Sequence, residues 1–126
     1  MSTQAVCVNG HPSVTSEYRH SKIVVIASVV EEKPVAAMPD GYFLEGKMYE
    51  LNVEKAFRGK PGPTLKLFDE NTSGRFEMSV GTKYLLFVYE EHGRLRVDNC
   101  GNSAEFSKSS AIIKQVEKLA HTVSLQ

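Results

Sequence analysis

Apolar residues in the middle of the chain follow the two-residue period of β-strands. Tyr49, Leu51 and Val53 alternate with charged or amide residues, which predicts a strand with one buried face. The β-branched run at residues 22–30 is too continuous for a strand with one wet face, so it predicts a strand covered on both sides or coiled around a barrel. Three further strands are predicted at residues 64–68, 83–89 and 94–98.

Turn-forming residues and helical periods fill the rest of the chain. Residues 31–46 contain Pro34, Pro39 and Gly41 and are predicted to form a loop. The alternation of apolar and polar residues that begins at Tyr49 is interrupted at residues 55–57, which indicates a β-bulge.

Helices are predicted at both ends. Residues 13–21 form a short one with Ser13 as N-cap. From Ser107 the apolar period becomes helical, and residues 121–126 are expected to fray. The predicted apolar face of the second helix consists of Ile112, Ile113, Val116, Leu119 and Ala120.

These elements predict a single domain spanning residues 1–126. The class is all-β with flanking helices. Five coiled strands with a bulge suit a five-stranded OB-type Greek-key barrel, although the periodicity by itself also allows other small β-barrels.

Composition and residue spacing narrow the function classes. Lys+Arg and Asp+Glu each number 15, so the chain lacks the positive surplus typical of a nucleic-acid binder. The longest apolar run, residues 23–30, is too short to span a bilayer. The four histidines are scattered, the acidic pairs fall in turns, and there is no G-x-S-x-G sequence. We therefore expect no enzyme activity, no cofactor and no metal site of the protein's own.

The chain has two cysteines, Cys7 and Cys100, and neither belongs to a C-x-x-C pair. Their wide separation suits one structural disulfide in an oxidising compartment, and two unrelated buried thiols are the alternative. Residues 1–4 have no signal-peptide character. Either the protein is cytosolic, or a leader was removed and residues 1–4 are a non-native or disordered lead. The cysteines favour the second interpretation and a secreted or periplasmic protein.

The N-terminal segment resembles the start of the tissue inhibitors of metalloproteinases, which have a C-x-C pair, then His-Pro, a short helix and a Val/Ile-rich strand. The matching run is Ala5-Val6-Cys7-Val8-Asn9-Gly10-His11-Pro12. Residues 49–59, 73–76, 81–87 and 95–100 resemble segments of the wider netrin-like modules in the same order. The resemblance extends from Ala5 to about Leu119 and implies an OB barrel.

The resemblance also implies a Cys7–Cys100 disulfide and a surface for binding another protein. A second family bridge is missing, because Ala5 and Ser73 stand where its cysteines would be. If Ala5 were the mature N-terminus, its free amine would be placed to chelate the zinc of a target metalloprotease, whereas residues 1–4 would obstruct it. The implied binding surface, here called the ridge, consists of Ala5, Val6, Cys7, Val8, Asn9 and Gly10 together with Asn71, Thr72, Ser73, Gly74 and Arg75.

Two other functions remain open at this point. One is a structural or adaptor domain of the cell envelope, with the fold used only as a scaffold. The other is an OB-type module that binds an oligosaccharide or a nucleic acid. The absence of tryptophan and the balanced charge weigh against this last alternative.

Overall fold

A computed structural model of the chain describes Cys7, residues 10–36 and residues 44–124. Only the backbone is described for residues 123 and 124. The fold is mostly β with a helix at each end, as predicted. The helices and strands are α1 (Val14–His20), β1 (Ile23–Ala36), β2 (Leu44–Arg58), β3 (Thr64–Glu70), β4 (Lys83–Glu91), β5 (Arg94–Val97), β6 (Ala104–Glu105) and α2 (Ser110–Ser124). A single 3-10 turn, Phe106–Lys108, precedes α2.

The strands form one antiparallel sheet in the order β3-β2-β1-β4-β5, and β6 pairs with β4. Among the described residues β3 and β5 share no ladder of backbone hydrogen bonds, so the sheet is open. Its two edges nevertheless meet through side chains. The guanidinium carbon of Arg94 lies 4.1 Å from the centre of the Phe68 ring, and Arg96 Nη1 lies 2.7 Å from Glu70 Oε1.

Two closely spaced bulges near the C-terminal end of β2 bend this strand around the core, and two further register shifts lie between Val29 and Glu31 and between Val35 and Ala36. Val24 pairs with Arg58 and Val25 with Ala56, so the intervening Phe57 has no direct partner on β1. A second shift lies between Ile26 and Ala27. Because a bulge increases local twist, two in succession allow β2 to coil. The bulge expected from the broken alternation at residues 55–57 is confirmed.

The loop predicted at residues 31–46 is wrong at both ends, because β1 continues to Ala36 and β2 begins at Leu44. These extensions pair as a hairpin arm, with Glu32 opposite Tyr49 and Pro34 opposite Lys47. The pairing of β1 with β4 runs only from Ile23 to Ser28 in the described chain. Pro34 therefore lies at a sheet edge, where a residue without an N–H is tolerated. Residues 37–43 lie outside the described residues.

Apolar side chains form two clusters on opposite faces of the sheet. Val25, Ala27 and Val29 of β1 belong to the first, which lies inside the curved sheet. Val24 and Ile26 belong to the second, where α1 and α2 cover the other face. This two-sided burial explains why the sequence of β1 is continuously apolar.

Both helices follow their sequence signals closely. Ser13 Oγ accepts a hydrogen bond from Ser16 N at 3.1 Å, as expected of an N-cap. Val116 of α2 is fully buried against the second cluster, and Ile112, Ile113 and Leu119 pack beside it. The backbone of α2 remains helical to Ser124, into the segment expected to fray. The short strand β6 was not predicted.

Candidate functional site

One residue of the N-terminal half of the predicted ridge and most of its loop half line a surface depression of about 920 Å³. Cys7 lies on its wall beside Asn71, Thr72, Ser73 and Arg75. The remaining residues that line it are His11, Phe76, Glu77, Asn99, Cys100, Gly101 and Ser103. Gly10 and Gly74 are described but are not among the lining residues. Ala5, Val6, Val8 and Asn9 lie outside the described residues.

The disulfide between Cys7 and Cys100 is present, with an S–S distance of 1.99 Å and a Cα–Cα distance of 5.8 Å. It joins the N-terminal segment to the turn that follows β5. The bridge implied by the resemblance is therefore confirmed, and the alternative of two unrelated thiols is wrong. The position of Cys7 on the wall of the depression follows from this covalent connection.

His11 connects the same two segments by hydrogen bonds. Its ring atom Nδ1 lies 2.8 Å from the backbone oxygen of Cys100, and Nε2 lies 3.0 Å from Asn102 Oδ1. The neighbouring Gly10 N donates to the backbone oxygen of Cys7 at 2.9 Å. The tight turn between Cys7 and Gly10 is thus attached on one side by the disulfide and on the other side by the hydrogen bonds of the His11 ring.

Asn102 and Glu17 form the polar centre behind His11. Glu17 Oε1 accepts hydrogen bonds from Asn102 N at 2.6 Å and from Asn102 Nδ2 at 3.0 Å. Asn102 Nδ2 also donates to the backbone oxygen of Pro12 at 3.1 Å. Asn102 is only 6% exposed, and these bonds satisfy its amide group inside the fold.

Burial raises the pKa of the Glu17 carboxyl above its ordinary value, because desolvation disfavours the charged form. Hydrogen bonds from Asn102 and the nearby His11 act in the opposite direction, whereas repulsion from Asp98 adds to the effect of burial. Gly101 leaves the space that this carboxyl needs. A Cβ atom at Gly101 would lie 2.7 Å from Glu17 Cδ, too close for any other residue without a shift.

The loop that completes the ridge is held by its own hydrogen bonds. Thr72 Oγ1 accepts from Gly74 N at 3.2 Å, and Arg75 Nη1 donates to the backbone oxygen of Thr72 at 3.0 Å. Arg75 Nε also contacts Glu77 Oε1 at 2.7 Å. Asn71 N donates to the backbone oxygen of Glu45 on β2 at 2.8 Å. The exposed loop is therefore anchored to the sheet and carries its charged groups in a defined arrangement.

Asp69, at the end of β3, supports this loop from below. Its Oδ1 accepts a hydrogen bond from Phe76 N at 2.8 Å. Burial raises the pKa of this carboxyl, although the bond from Phe76 opposes the change. The loop residues 71–75 therefore begin and end at backbone groups that β2 and β3 fix in place.

Sequence reasoning missed the residues that support the N-terminal half of the ridge. Glu17, Gly101 and Asn102 carry no recognisable motif, and the bonds between Glu17 and Asn102 join residues 85 positions apart. The one sequence signal nearby is the turn composition after Cys100, which predicts a loop but not its partners.

No group of three or more His, Cys, Asp or Glu residues in the described chain is placed to hold a metal ion. Across residues 10–36 and 44–124, no helix has the length and apolar character needed to cross a membrane. No family model matches the sequence, and a search of curated proteins finds no match.

Proposed function

We propose that this chain is a non-enzymatic, secreted or periplasmic protein-binding module that inhibits a zinc metalloprotease through the ridge. The observation that carries the proposal is the shared depression, on whose wall the disulfide holds Cys7 beside the loop at residues 71–75. Two segments far apart in sequence thus form one continuous surface. Binding residues are commonly carried on loops that a rigid scaffold positions.

The scaffold in this proposal is a partly open OB barrel. With β1 at the centre of the sheet order, β3 and β5 are the two edges. The contacts of Arg94 and Arg96 with Phe68 bring these edges together. A five-stranded OB barrel is likewise partly open, so this arrangement supports the proposed fold.

The surface chemistry favours a protein partner over a polyanion. The depression is bordered by an Arg75–Glu77 ion pair and by amide and hydroxyl groups, and the chain has no net charge. Mixed polar surfaces of this kind suit the rim of a protein interface. The internal hydrogen bonds of the loop reduce the entropy lost when a partner binds.

The zinc-directed part of the proposal rests on the short covalent distance from Cys7 to Ala5. Two residues of extended chain span at most about 7 Å, and this reach limits how far from Cys7 an amine at Ala5 could act. Catalytic zinc sites keep an open coordination position. A neutral amine that fills it would displace the water that a metalloprotease needs.

Inhibition assays with two forms of the chain test this proposal. One begins at Ala5 and the other keeps residues 1–4, and both are assayed against a panel of zinc metalloproteases. We expect inhibition by the form that begins at Ala5 and none by the longer form, because residues 1–4 remove the free amine. Acetylation of the Ala5 amine provides a control of equal length and should abolish inhibition.

An Arg75→Ala variant of the trimmed form tests the other half of the ridge. Inhibition should weaken, because Arg75 lies in the adjoining loop and its side chain is solvent-accessible. Lys60→Ala is the matched control, since Lys60 lies in the turn before β3, outside the ridge. If no protease in the panel is inhibited by either form, the metalloprotease is wrong as the target class. If acetylation has no effect, the amine has no role.

A further inference from the structure

We propose that a pocket at the C-terminal end of α1, here called the basic pocket, binds the sulfate groups of an acidic polysaccharide, with Arg58 as its central anion-binding residue. The pocket has a volume of about 430 Å³, and its wall includes Tyr18, Lys22, Phe57, Arg58 and Gly59. It shares no lining residue with the depression of the ridge. The basic pocket is therefore a second site, and it can be tested without a protease.

The Arg58 guanidinium is held in place by groups that carry no charge. Its Nε donates to the backbone oxygen of Ser21 at 2.7 Å, and its Nη2 donates to the backbone oxygen of Arg19 at 3.3 Å. The guanidinium carbon lies 5.4 Å from the centre of the Tyr18 ring. Neither hydrogen bond uses Nη1, and no carboxylate in the described chain forms an ion pair with Arg58. The positive charge of Arg58 is thus fixed in orientation but not neutralised.

Three further cations belong to the same part of the surface. Lys22 lines the pocket and pairs with Glu90 at 2.8 Å, with about half of each side chain exposed. Arg19 on α1 and Lys60 in the turn after β2 are sequence neighbours of lining residues, and both are exposed. Within the described chain neither of these two side chains has an ion-pair partner. Four basic residues thus stand against one paired carboxylate.

The acidic groups of the neighbouring helices are engaged elsewhere. Glu17 of α1 accepts its hydrogen bonds from Asn102, next to the ridge, and Glu117 of α2 lies 3.9 Å from Lys55. No Asp or Glu is among the described residues that line the basic pocket. A local excess of positive charge therefore exists although the chain as a whole has no net charge. Such a local field attracts polyanions.

The disulfide indicates which class of polyanion the basic pocket would meet. A structural disulfide persists in oxidising compartments, whereas nucleic acids and the anionic lipids of the cytoplasmic leaflet belong to the reducing side of the membrane. Polysaccharides with sulfate groups are polyanions of the cell exterior. A guanidinium donates two parallel hydrogen bonds to an oxyanion, and the cations beside Arg58 are available to the next sulfate groups along the chain. The charge and the compartment together favour a sulfated polysaccharide.

Titration of the ¹⁵N-labelled, oxidised full chain with a heparin hexasaccharide, followed by two-dimensional nuclear magnetic resonance, tests the site directly. We expect the amide signals of Lys22 and Gly59 and the Nε–H signal of Arg58 to shift. The amide signal of Gly74 in the ridge should stay in place. Raising the NaCl concentration from about 50 mM to about 200 mM should weaken binding several-fold, because binding releases counterions from the polyanion. Hexasaccharide binding without a shift at Lys22 or Gly59 would overturn the assignment of the site.

Two double variants with the same change in net charge make the result specific to the basic pocket. Arg19→Ala combined with Lys60→Ala should weaken hexasaccharide binding about tenfold, because two exposed cations are removed. Lys66→Ala combined with Lys114→Ala is the matched control and should bind as the wild type does. Both of these lysines are exposed, lie on β3 and α2, and have no ion-pair partner in the described chain. Equal weakening in the two double variants would overturn the proposal, because only the total charge would then matter.

Co-sedimentation with vesicles of phosphatidylglycerol and phosphatidylcholine distinguishes the polysaccharide from a lipid surface. We expect no binding to the vesicles at a salt concentration at which the hexasaccharide binds. Vesicle binding without any response to the hexasaccharide would overturn the polysaccharide as the ligand. The result is also independent of the protease assay, because Lys60→Ala is expected to weaken polysaccharide binding and to leave inhibition through the ridge unchanged. The wild-type titration stands even if a variant does not fold.

Discussion

At the scale of single residues, the ridge depends on side chains that do not belong to it. Asn102 presents its oxygen to His11 only because Glu17 and Pro12 occupy its nitrogen. The Glu17 carboxyl in turn occupies space that a Cβ atom at Gly101 would need, since that atom would lie 2.7 Å from Glu17 Cδ. Gly101 contacts Glu17, Glu17 binds Asn102, and Asn102 binds His11. A substitution at Gly101 should therefore alter the hydrogen bonding of His11, although the two residues need not touch.

Gly101→Ala should destabilise the protein by about 1–3 kcal/mol, because the new methyl group displaces the Glu17 carboxyl from Asn102. Urea denaturation followed by far-UV circular dichroism measures the free energy of unfolding. Gly62→Ala is the matched control, since a Cβ atom there meets nothing within 4 Å. It should change stability by about 0.5 kcal/mol or less. Equal stability of the two variants would show that Glu17 tolerates displacement.

At the scale of elements, the N-terminal segment is attached to the sheet at a point far from its own neighbours in sequence. α1 packs in the second apolar cluster, and the disulfide connects the segment before it to the turn after β5. The hairpin arm formed by the outer halves of β1 and β2 extends from the same sheet. The β1 half of this arm is exposed at almost every position, whereas the inner half of β1 is buried at every position from Ile23 to Val29 except Ser28.

Replacing both cysteines, as Cys7→Ser with Cys100→Ser, should lower the free energy of unfolding by about 2–5 kcal/mol. The bridge closes a separation of 93 residues, and its loss gives the unfolded chain more conformational freedom. The folded variant should keep its β-type circular dichroism spectrum, because the bridge joins no two strands. Urea denaturation curves of the oxidised wild type and the variant that coincide would contradict this expectation.

At the scale of the whole molecule, the buried carboxyls oppose folding when they are charged. The pKa values of Glu17 and Asp69 are both raised, in each case mainly by burial. The exposed Glu77 is different, because its hydrogen bond and ion pair with Arg75 lower its pKa. The dependence of stability on pH therefore combines contributions of opposite sign.

Glu17→Gln should become more stable relative to the wild type as the pH rises from about 4 to about 7. The folded wild type holds the Glu17 proton more tightly than the unfolded chain does. This favourable contribution is fully present below the unfolded pKa and is lost as the pH rises through the folded value. Glutamine keeps an acceptor for Asn102 but does not titrate. Urea denaturation of both proteins at several pH values measures the difference.

Glu77→Gln provides a contrast of opposite sign. Its lowered pKa means that the carboxylate contributes stability above its unfolded pKa, and this contribution disappears as the pH falls. The variant should therefore approach the wild type in acid. The assignment of burial as the dominant influence on Glu17 would fail if both variants showed the same pH trend.

The sequence by itself determined the local structure and the elements that bury apolar surface. Period-two alternation identified β2, the continuous apolar run identified β1 as covered on both sides, and the helical period identified α2. These features depend on neighbouring residues, which the chain places together regardless of the rest of the fold. Pro34 led to the wrong prediction of a loop at residues 31–46. A strand tolerates proline where no neighbouring strand needs its N–H group, and the pairing of β1 with β4 ends before Pro34.

Only the tertiary structure decided how the ridge is supported and whether the sheet closes. The bonds of His11 to Cys100 and Asn102 span 89 and 91 residues, and no local pattern specifies such partners. The separation of β3 from β5 likewise depends on the accumulated coiling of five strands and on the side chains of Phe68, Arg94 and Arg96. Local patterns set which residues are buried, whereas long-range geometry sets which polar groups meet.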